Sequence, residues 1–236
     1  MEFELLSNGM RIAHAGGAIA LGTDSVLLAD FCAPVYTENI VDLGCGGCSL
    51  GVLLCAYHEA CRVTGVEIQS AACEIARENV RVNALDDRLQ VVCADLREYA
   101  AGKHPKFDVA ISNPPYFPVQ GGAIARNEAQ AIARTELCCS FDELCLAVSR
   151  LLNYGGRFCL VHRPERLAEL LSTLRSHRLE PKRLRCVRND ARSDVCLVLI
   201  EARLGAGIGL NIEQDLILSN PDGTPTGEYR RIYHIS

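Results

Sequence analysis

Residues 113–116 read Asn-Pro-Pro-Tyr and combine side chains that suit recognition of a planar amine. Two consecutive prolines stiffen a turn and push the preceding residue toward extended backbone, so the amide of Asn113 is held at the end of an apolar run. The Pro114 carbonyl is fixed in direction beside it, and Tyr116 and Phe117 add two aromatic faces. These groups suit a flat group that carries an NH2, such as a nucleobase edge. The alternative to a binding function is a proline-rich loop in which Asn113 only has a capping role.

Three further motifs follow predicted strands, at the places where doubly wound sheets bind ligands. Residues 42–47 read Asp-Leu-Gly-Cys-Gly-Gly, and such glycines let the backbone approach a ligand while the next helix presents free N–H groups. Glu67 ends the second strand, where a carboxylate can hold a ribose diol. Asp95 lies just past the third strand and can accept a hydrogen bond from an adenine amine. Each motif alone is common in α/β proteins, but their order together with residues 113–116 is specific.

Other nucleotide and metal sites fit the sequence poorly. A nicotinamide-binding turn reads Gly-x-Gly-x-x-Gly, whereas the spacing here is Gly44-x-Gly46-Gly47, with the next glycine at Gly51. A P-loop is excluded because no Gly-Lys-Ser/Thr follows the glycines. The CxxC at residues 45–48 has no second CxxC or histidine pair, so we predict no metal site.

Apolar runs alternate with helical patterns along the chain, and this alternation predicts a doubly wound sheet. The predicted strands are residues 39–43, 62–66, 89–93, 107–111, 157–161, 183–187 and 195–201. The predicted helices are residues 49–57, 71–83, 141–152, ended by Gly155-Gly156, and a stretch from Pro164 to about Leu174. The last two strands are close enough in sequence to pair antiparallel. We therefore predict one α/β domain over residues 1–236, with a Rossmann-like, seven-stranded, mainly parallel sheet.

Two segments lie outside this alternation. Residues 1–35 are predicted to be an N-terminal extension, with a small hairpin around residues 11–21 that turns at Gly16-Gly17. After it, Thr23-Asp24 is predicted to cap a helix over residues 25–31. Residues 117–136 show little apolar periodicity, so this long loop beside the aromatic pair is a candidate substrate lid.

The composition is that of an ordinary soluble globular protein, with 49% apolar and 22% charged residues among 236. No apolar run approaches the roughly 20 residues that cross a bilayer, and the acidic N-terminus does not resemble a secretory signal. These features predict a cytoplasmic protein without a membrane partner. The 13 cysteines lie mostly in apolar runs, where they are expected to act as small buried hydrophobes rather than as a disulfide framework.

The formal net charge of −5 conceals an uneven distribution. Between Arg157 and Arg192 the chain has ten basic and four acidic residues, a local excess of six positive charges. Such a stretch can neutralise phosphates within a Debye length even on an acidic protein. The equally weighted alternative is a solvated basic helix face with its adjoining loop.

The ordered motifs resemble class I S-adenosylmethionine-dependent methyltransferases that act on amines. They are DLGCG at 42–46, GVEIQ at 65–69, CAD at 93–95 and SNPPY at 112–116. Within that class the chain is similar to the bacterial tRNA1(Val) adenine-37 N6-methyltransferase family. Further similar segments lie at residues 22–24, 163–167 and 222–233, so the resemblance covers nearly the whole chain.

The resemblance implies the class I methyltransferase fold, S-adenosylmethionine as cofactor and a role for each site residue. Asp42, Gly44 and Gly46 would receive the methionine end of the cofactor, and Glu67 would bind its ribose. The remaining cofactor residues would be Asp24, Ile68, Asp95, Leu96 and Asn113, with Asp95 and Leu96 at the adenine. Asn113 and Pro114 would hold the target amine, with stacking from Tyr116 or Phe117, and the substrate side would also include Arg126 and Arg163. A thiol at a helix N-terminus has a lowered pKa, so oxidation of Cys45 or Cys48 would block cofactor binding.

The tetrapeptide alone does not choose the substrate, because DNA adenine, rRNA guanine and release-factor glutamine methyltransferases share it. A DNA enzyme usually carries a recognition domain, and a protein-glutamine enzyme usually has a helical N-terminal domain. The length of the chain and its short residues 1–35 leave little room for either, which favours tRNA as the partner. The remaining alternative is a non-catalytic subunit that binds cofactor or RNA, although such subunits generally lose the residues that hold the amine.

Overall fold

The computed structural model describes residues 2–5, 9–14, 21–33, 38–114 and 139–235. Its strands are β1 (Glu2–Leu5), β2 (Arg11–His14), β3 (Asn39–Leu43), β4 (Arg62–Glu67), β5 (Leu89–Cys93), β6 (Phe107–Ser112), β7 (Leu152–His162), β8 (Leu179–Asp190), β9 (Val195–Leu204), β10 (Asn211–Ile212) and β11 (Leu216–Ser219). Its helices are α1 (Thr23–Cys32), α2 (Ser49–Tyr57), α3 (Ser70–Val82), α4 (Leu96–Ala101), α5 (Phe141–Leu151), α6 (Leu167–Ser176) and α7 (Gly227–Ile232), with a 3-10 turn at Pro164–Arg166.

The main sheet has the strand order β10-β8-β9-β7-β6-β3-β4-β5, and β11 also pairs with β8. Strands β3 to β7 are parallel to their neighbours, whereas β9 runs antiparallel to both β7 and β8. The predicted mainly parallel sheet with an antiparallel last pair is therefore confirmed. Its strand number is nine rather than seven, because the short strands β10 and β11 add to the edge of β8.

Helices cover both faces of this sheet. Alternate strand residues point to opposite faces, so Ile40 packs with α1, α2 and α3 while the next residue, Val41, packs with α4, α5 and α6. The chain leaves β3 toward β4 and β5 on one side and returns to β6 on the other. The carboxyl ends of β3 and β6 therefore flank a topological switch point, where open α/β sheets bind ligands.

The N-terminal segment differs from its prediction. Residues Arg11–His14 pair antiparallel with Glu2–Leu5, so their partner strand precedes them, and Gly16-Gly17 lies outside the described residues. Helix α1 begins at Thr23 with Gly22 as its N-cap, and no side chain caps it. Much of α1 is buried in the core, so this part of the predicted extension belongs to the domain.

Several other boundaries were also misplaced. Helix α5 ends at Leu151 and β7 begins at once, so Gly155-Gly156 lies inside the strand rather than between the two elements. Pro164 opens a 3-10 turn before α6, and the elements α4, α7, β10 and β11 were not predicted. Across the residues that the structure describes, no helix is long and apolar enough to cross a membrane.

Candidate active site

The turn after β3 has a left-handed backbone and is tied to β4, because the N–H groups of Gly44 and Cys45 donate to the Val66 carbonyl at 2.9 and 3.2 Å. Gly44 and Gly46 have φ angles of +75° and +53°, a region that side chains with a Cβ rarely adopt. A Cβ at either glycine would have no neighbour within 4 Å, so conformation rather than space requires glycine there. Cys48 also has a positive φ, of 59°, and is the N-cap of α2. The predicted glycine turn therefore meets the free N-terminus of the helix that follows it.

Glu67 ends β4 and holds this turn. Its carboxylate accepts hydrogen bonds from the N–H of Gly46 at 2.9 Å and the N–H of Gln69 at 2.8 Å. The side chain is buried, so these two donors replace the water that a carboxylate needs. Each oxygen keeps a second lone pair, so the carboxylate can also accept from a ribose hydroxyl. Ile68, the next residue of the predicted cofactor set, is largely exposed.

Asp42 is the unusual group of the site. It is only 2% exposed, and its Oδ2 has no hydrogen-bond partner among the described residues. Burial and the nearby charge of Glu67 raise its pKa to about 7. A buried carboxylate without a donor is costly, and a cation or an N–H donor at the glycine turn would relieve that cost. A ligand with an ammonium or sulfonium group fits this requirement.

Asp95 follows β5, as predicted, but its carboxylate already has partners. It caps α4 by accepting from the N–H of Arg97 at 2.8 Å, and the Arg97 guanidinium pairs with it at 2.5 Å. Hydrogen bonds from this arginine lower the pKa of Asp95, so the group is a firmly ionised acceptor. Arg97 also pairs with Glu143 at 2.9 Å, which ties α4 to α5. Leu96, the first residue of α4, is half-buried beside this cap.

Asn113 lies directly after β6, across the switch point from the glycine turn. The Ser112 hydroxyl donates to the Leu43 carbonyl at 2.8 Å, which joins the ends of β6 and β3. The Asn113 Nδ2 donates to the Ser25 hydroxyl at 3.1 Å, and Pro114 is buried behind the amide. Sequence reasoning missed Ser25, whose contact with Asn113 spans 88 positions. The remaining predicted acceptor residues, Tyr116, Phe117 and Arg126, lie outside the described residues.

Two more predicted residues meet at the same edge of the sheet. Asp24 lies in the first turn of α1, and Arg163 follows β7. The Arg163 guanidinium lies 3.5 Å from the carbonyl oxygen of Cys196, and the charges of both Arg163 and Asp24 act on the Cys196 thiol. The structure thus places Asp24 and Arg163 close enough for both charges to act on one thiol, although they are far apart in sequence.

A buried asparagine holds the glycine turn in place by a hydrogen bond. Asn79 of α3 donates to the Gly47 carbonyl at 2.8 Å and to the Ala13 carbonyl at 3.3 Å, and its own oxygen accepts from the Ala13 N–H. It therefore joins β2, α3 and the turn in one network. Its only sequence signal was a polar side chain on the otherwise apolar face of α3, together with Cys73 and Ala76.

Comparison with known proteins agrees with this arrangement. The methyltransferase small domain family matches residues 15–171, more than half of the chain. The chain belongs to that family. The tRNA1(Val) (adenine(37)-N6)-methyltransferase of Yersinia pestis strain Pestoides F is 30% identical over 152 residues, which are 64% of this chain and 60% of that protein. The protein of the same name from Yersinia pseudotuberculosis serotype O:1b has the same values. The match thus spans less than two thirds of the length of these relatives.

Solved structures show the same fold. A predicted O-methyltransferase from Agrobacterium tumefaciens superimposes with a TM-score of 0.72 at 22% identity, over 90% of this chain and 96% of that one. A precorrin-6y C5,15-methyltransferase from Geobacter metallireducens gives a TM-score of 0.58 at 16% identity, over 81% and 94% of the two chains. At such identities the likeness concerns the fold, so the methyltransferase domain has the class I methyltransferase fold that its motifs predicted.

The thiols of the methyltransferase domain differ from their prediction. A hydrogen bond between Cys45 and Cys48, burial, and the charges of Asp42 and Glu67 all raise the pKa of the Cys45 thiol. The predicted lowering of the pKa by the helix N-terminus is therefore wrong for Cys45, chiefly because of the hydrogen bond with Cys48 and the burial of the thiol. All cysteines of the described residues are free thiols, and no cluster of potential metal ligands occurs among them.

The basic stretch of the methyltransferase domain is also less available than its sequence indicated. Six of its arginines form ion pairs, namely Arg157, Arg166, Arg175, Arg183, Arg185 and Arg188. Arg183, Arg185 and Arg188 pair with Glu213, Glu228 and Asp215 of the C-terminal segment. Half of these six arginines therefore attach the C-terminal segment to β8, and the local positive excess is smaller than predicted.

Proposed function

We propose that the protein transfers a methyl group from S-adenosylmethionine to the N6 amine of an adenine in tRNA. The observation that carries this proposal is the position of Asn113 beside the switch point, where the Ser112–Leu43 hydrogen bond holds it next to the glycine turn. Family membership supports methyl transfer. The name of the Yersinia relatives supports adenine 37 of tRNA1(Val) as the target, and a tRNA substrate implies action in the cytoplasm.

The residues at the carboxyl edge fit the cofactor. The Oδ2 of Asp42, which has no partner among the described residues, would hold the ammonium group of its methionine end. The open space beside Gly44 and Gly46 would admit that end, and Glu67 would hold the ribose. Asp95 and the backbone at Leu96 would meet its adenine. When bound there, S-adenosylmethionine supplies an electrophilic methyl group on a positively charged sulfur.

The acceptor residues solve a different problem. The lone pair of an adenine amine is conjugated with the ring and is a weak nucleophile. If the Asn113 Oδ1 and the Pro114 carbonyl each accept one N–H, the nitrogen is favoured in a pyramidal form with its lone pair free. The same oxygens stabilise the positive charge that develops as the new C–N bond forms. Because neither oxygen is a strong base, the surplus proton passes to water.

The amide must present its oxygen to the substrate for this role. The hydrogen bond from Asn113 Nδ2 to the Ser25 hydroxyl leaves the amide oxygen, which has no partner among the described residues, to accept from an N–H donor. A target adenine must be unpaired or extruded to reach this pair, which suits a base in an anticodon loop.

Transfer of a tritiated methyl group tests the proposal. The protein is incubated with labelled cofactor and a tRNA1(Val) transcript, a transcript with guanine at position 37, total rRNA, duplex DNA, or a release factor. We expect label in the first transcript alone, recovered as N6-methyladenosine after digestion to nucleosides. Label in rRNA guanine, DNA or protein would replace tRNA as the substrate. Absence of label from every acceptor, with a cofactor Kd in the micromolar range, would indicate a non-catalytic subunit.

A further inference from the structure

Helix α7 presents two tyrosines on one face. Tyr229 and Tyr233 are four positions apart, and their rings stack with centroids 4.3 Å apart and an angle of 12° between their planes. Both side chains are half-buried. Tyr233 packs against the core cluster that includes α1, so Tyr229 is the outer ring of the pair.

The pair is held rigidly against the domain. The Tyr233 side chain hydrogen-bonds to that of Thr23, and burial raises the pKa of Tyr233 to about 12, so its hydroxyl stays protonated. Thr226 caps α7 by accepting from the Tyr229 N–H at 3.1 Å. The Arg231 guanidinium pairs with both carboxylate oxygens of Asp30 in α1, at 2.7 and 3.0 Å. Such anchoring reduces the ordering cost of binding a flat ligand.

The same helix turn connects this pair to the acceptor site. Thr23, which contacts Tyr233, and Ser25, which contacts Asn113, both belong to the first turn of α1. Side chains two positions apart point to different sides of a helix, so the aromatic pair and the Asn113 amide contact the same first turn of α1 from two sides. The pair is therefore anchored to the helix end that also positions the amide that would hold the target amine.

We propose that Tyr229 and Tyr233 form a stacking platform for an RNA base that flanks the target adenine. The proposal rests on the proposed function and names the surface by which the enzyme takes its substrate. Extrusion of one base removes a stacking partner from its neighbours, and an aromatic ring at the rim of the site replaces that partner. Stacking of this kind tolerates any base, so the platform contributes affinity and register rather than sequence readout.

Binding and turnover of three variants test the platform. Tyr229→Ala removes the outer ring, Tyr229→Phe keeps it, and Tyr154→Ala removes a control ring that is 78% exposed at the opposite edge of the sheet. The Kd of a labelled tRNA1(Val) transcript is measured by fluorescence anisotropy with S-adenosylhomocysteine present, so that no methylation is needed. The KM for the transcript, the Kd of the cofactor and the Tm are also measured for each variant.

We expect Tyr229→Ala to weaken transcript binding about 5- to 100-fold, the range for loss of one base–aromatic stack. Tyr229→Phe and Tyr154→Ala are expected within about twofold of the unchanged protein, and all variants should keep the cofactor Kd and Tm. Equal transcript affinity and KM for Tyr229→Ala would overturn the platform. Wild-type protein that binds the transcript through Tyr229 but leaves it unmethylated would refute the proposed function while the platform is retained.

Discussion

The sheet buries one carboxylate toward each end of its parallel strands, and the two carboxylates have opposite surroundings. At the carboxyl edge, Asp42 is 2% exposed, lacks a partner for Oδ2 among the described residues and has a pKa raised to about 7 by burial and by Glu67. On the other side, Glu201 is 1% exposed but contacts three arginines. Burial would raise its pKa, yet hydrogen bonds from Arg183 and Arg203 and the charge of Arg157 hold it below the ordinary range.

The difference is between a carboxylate whose partners all lie within the protein and one whose Oδ2 has no partner among the described residues. The Glu201 network is complete within the protein, since Arg183 donates at 2.8 Å, Arg203 at 3.1 Å and Arg157 lies at 3.5 Å. The region around Asp42 remains incomplete among the described residues, and the left-handed backbone of Cys48, a residue with a Cβ, adds conformational cost to the turn beside it. Proteins violate local rules mainly where function requires it, and we therefore propose that the region around Asp42 binds a ligand.

Removal of Glu201 is expected to give the largest loss of stability. Glu201→Ala leaves the half-buried Arg157 and Arg183 and the exposed Arg203 without their shared partner, and we expect the free energy of unfolding to fall by about 3–5 kcal/mol. Urea denaturation measures this loss, and the cofactor Kd should stay within about twofold where the protein is folded. The control is Glu169→Ala, whose exposed pair with Arg166 is worth less than about 1 kcal/mol. Equal effects of the two variants would contradict a structural role for the Glu201 network.

Removal of the Asn113 amide is expected to act on turnover alone. In Asn113→Ala the target amine loses an acceptor, so turnover should fall at least about 100-fold, the scale of a lost transition-state hydrogen bond. The cofactor Kd should stay within a few-fold. Asn153→Ala is the control, since its amide pairs with Asp108 at 2.8 Å near the amino ends of β6 and β7. Unchanged methyl transfer in Asn113→Ala would disprove the acceptor mechanism.

Features that local periodicity determines were predictable from the sequence. Helix α2 and strands β3 and β5 have the predicted bounds, because each is an apolar run next to strong turn residues. The order of the glycine turn, Glu67, Asp95 and Asn113 was also sufficient to place them at one edge, since parallel strands end together.

Contacts between distant segments were not predictable in the same way. Ser25 reaches Asn113 across 88 positions, and Asn79 reaches Ala13 across 66. Ser25 does not stand out by type or spacing, and the polar side chain of Asn79 on an apolar helix face does not name its partner, so only the packed fold reveals their roles. The positive excess predicted for residues 157–192 was too large for the same reason. The arginines of this stretch pair with carboxylates that lie elsewhere in the chain, such as Glu213 and Glu228.

Asp42→Asn tests the second of the two buried carboxylates, the one that we compared with Glu201. The amide keeps the shape of the side chain but removes the orphaned charge, so at neutral pH stability should be unchanged or slightly raised, the reverse of Glu201→Ala. Cofactor binding should weaken about tenfold or more, because a cationic ligand loses its charged partner. Calorimetric titration and urea denaturation at the same pH measure the two effects. A loss of stability like that of Glu201→Ala would make Asp42 a structural group.

The pH dependence of cofactor binding is expected to be a smaller effect, and one that is specific to the titration of Asp42. Because the pKa of Asp42 is raised to about 7 from 3.8, the free native protein keeps a proton that the unfolded chain has released. Stability should therefore decline as pH rises from about 4 to about 7. A cationic ligand favours ionised Asp42, so below pH 7 binding must release this proton and the cofactor Kd should rise up to about tenfold per unit of pH lost. Above pH 7 the Kd should level off. Asp42→Asn should remove both slopes, and a slope that persists in this variant would assign the titration to another group.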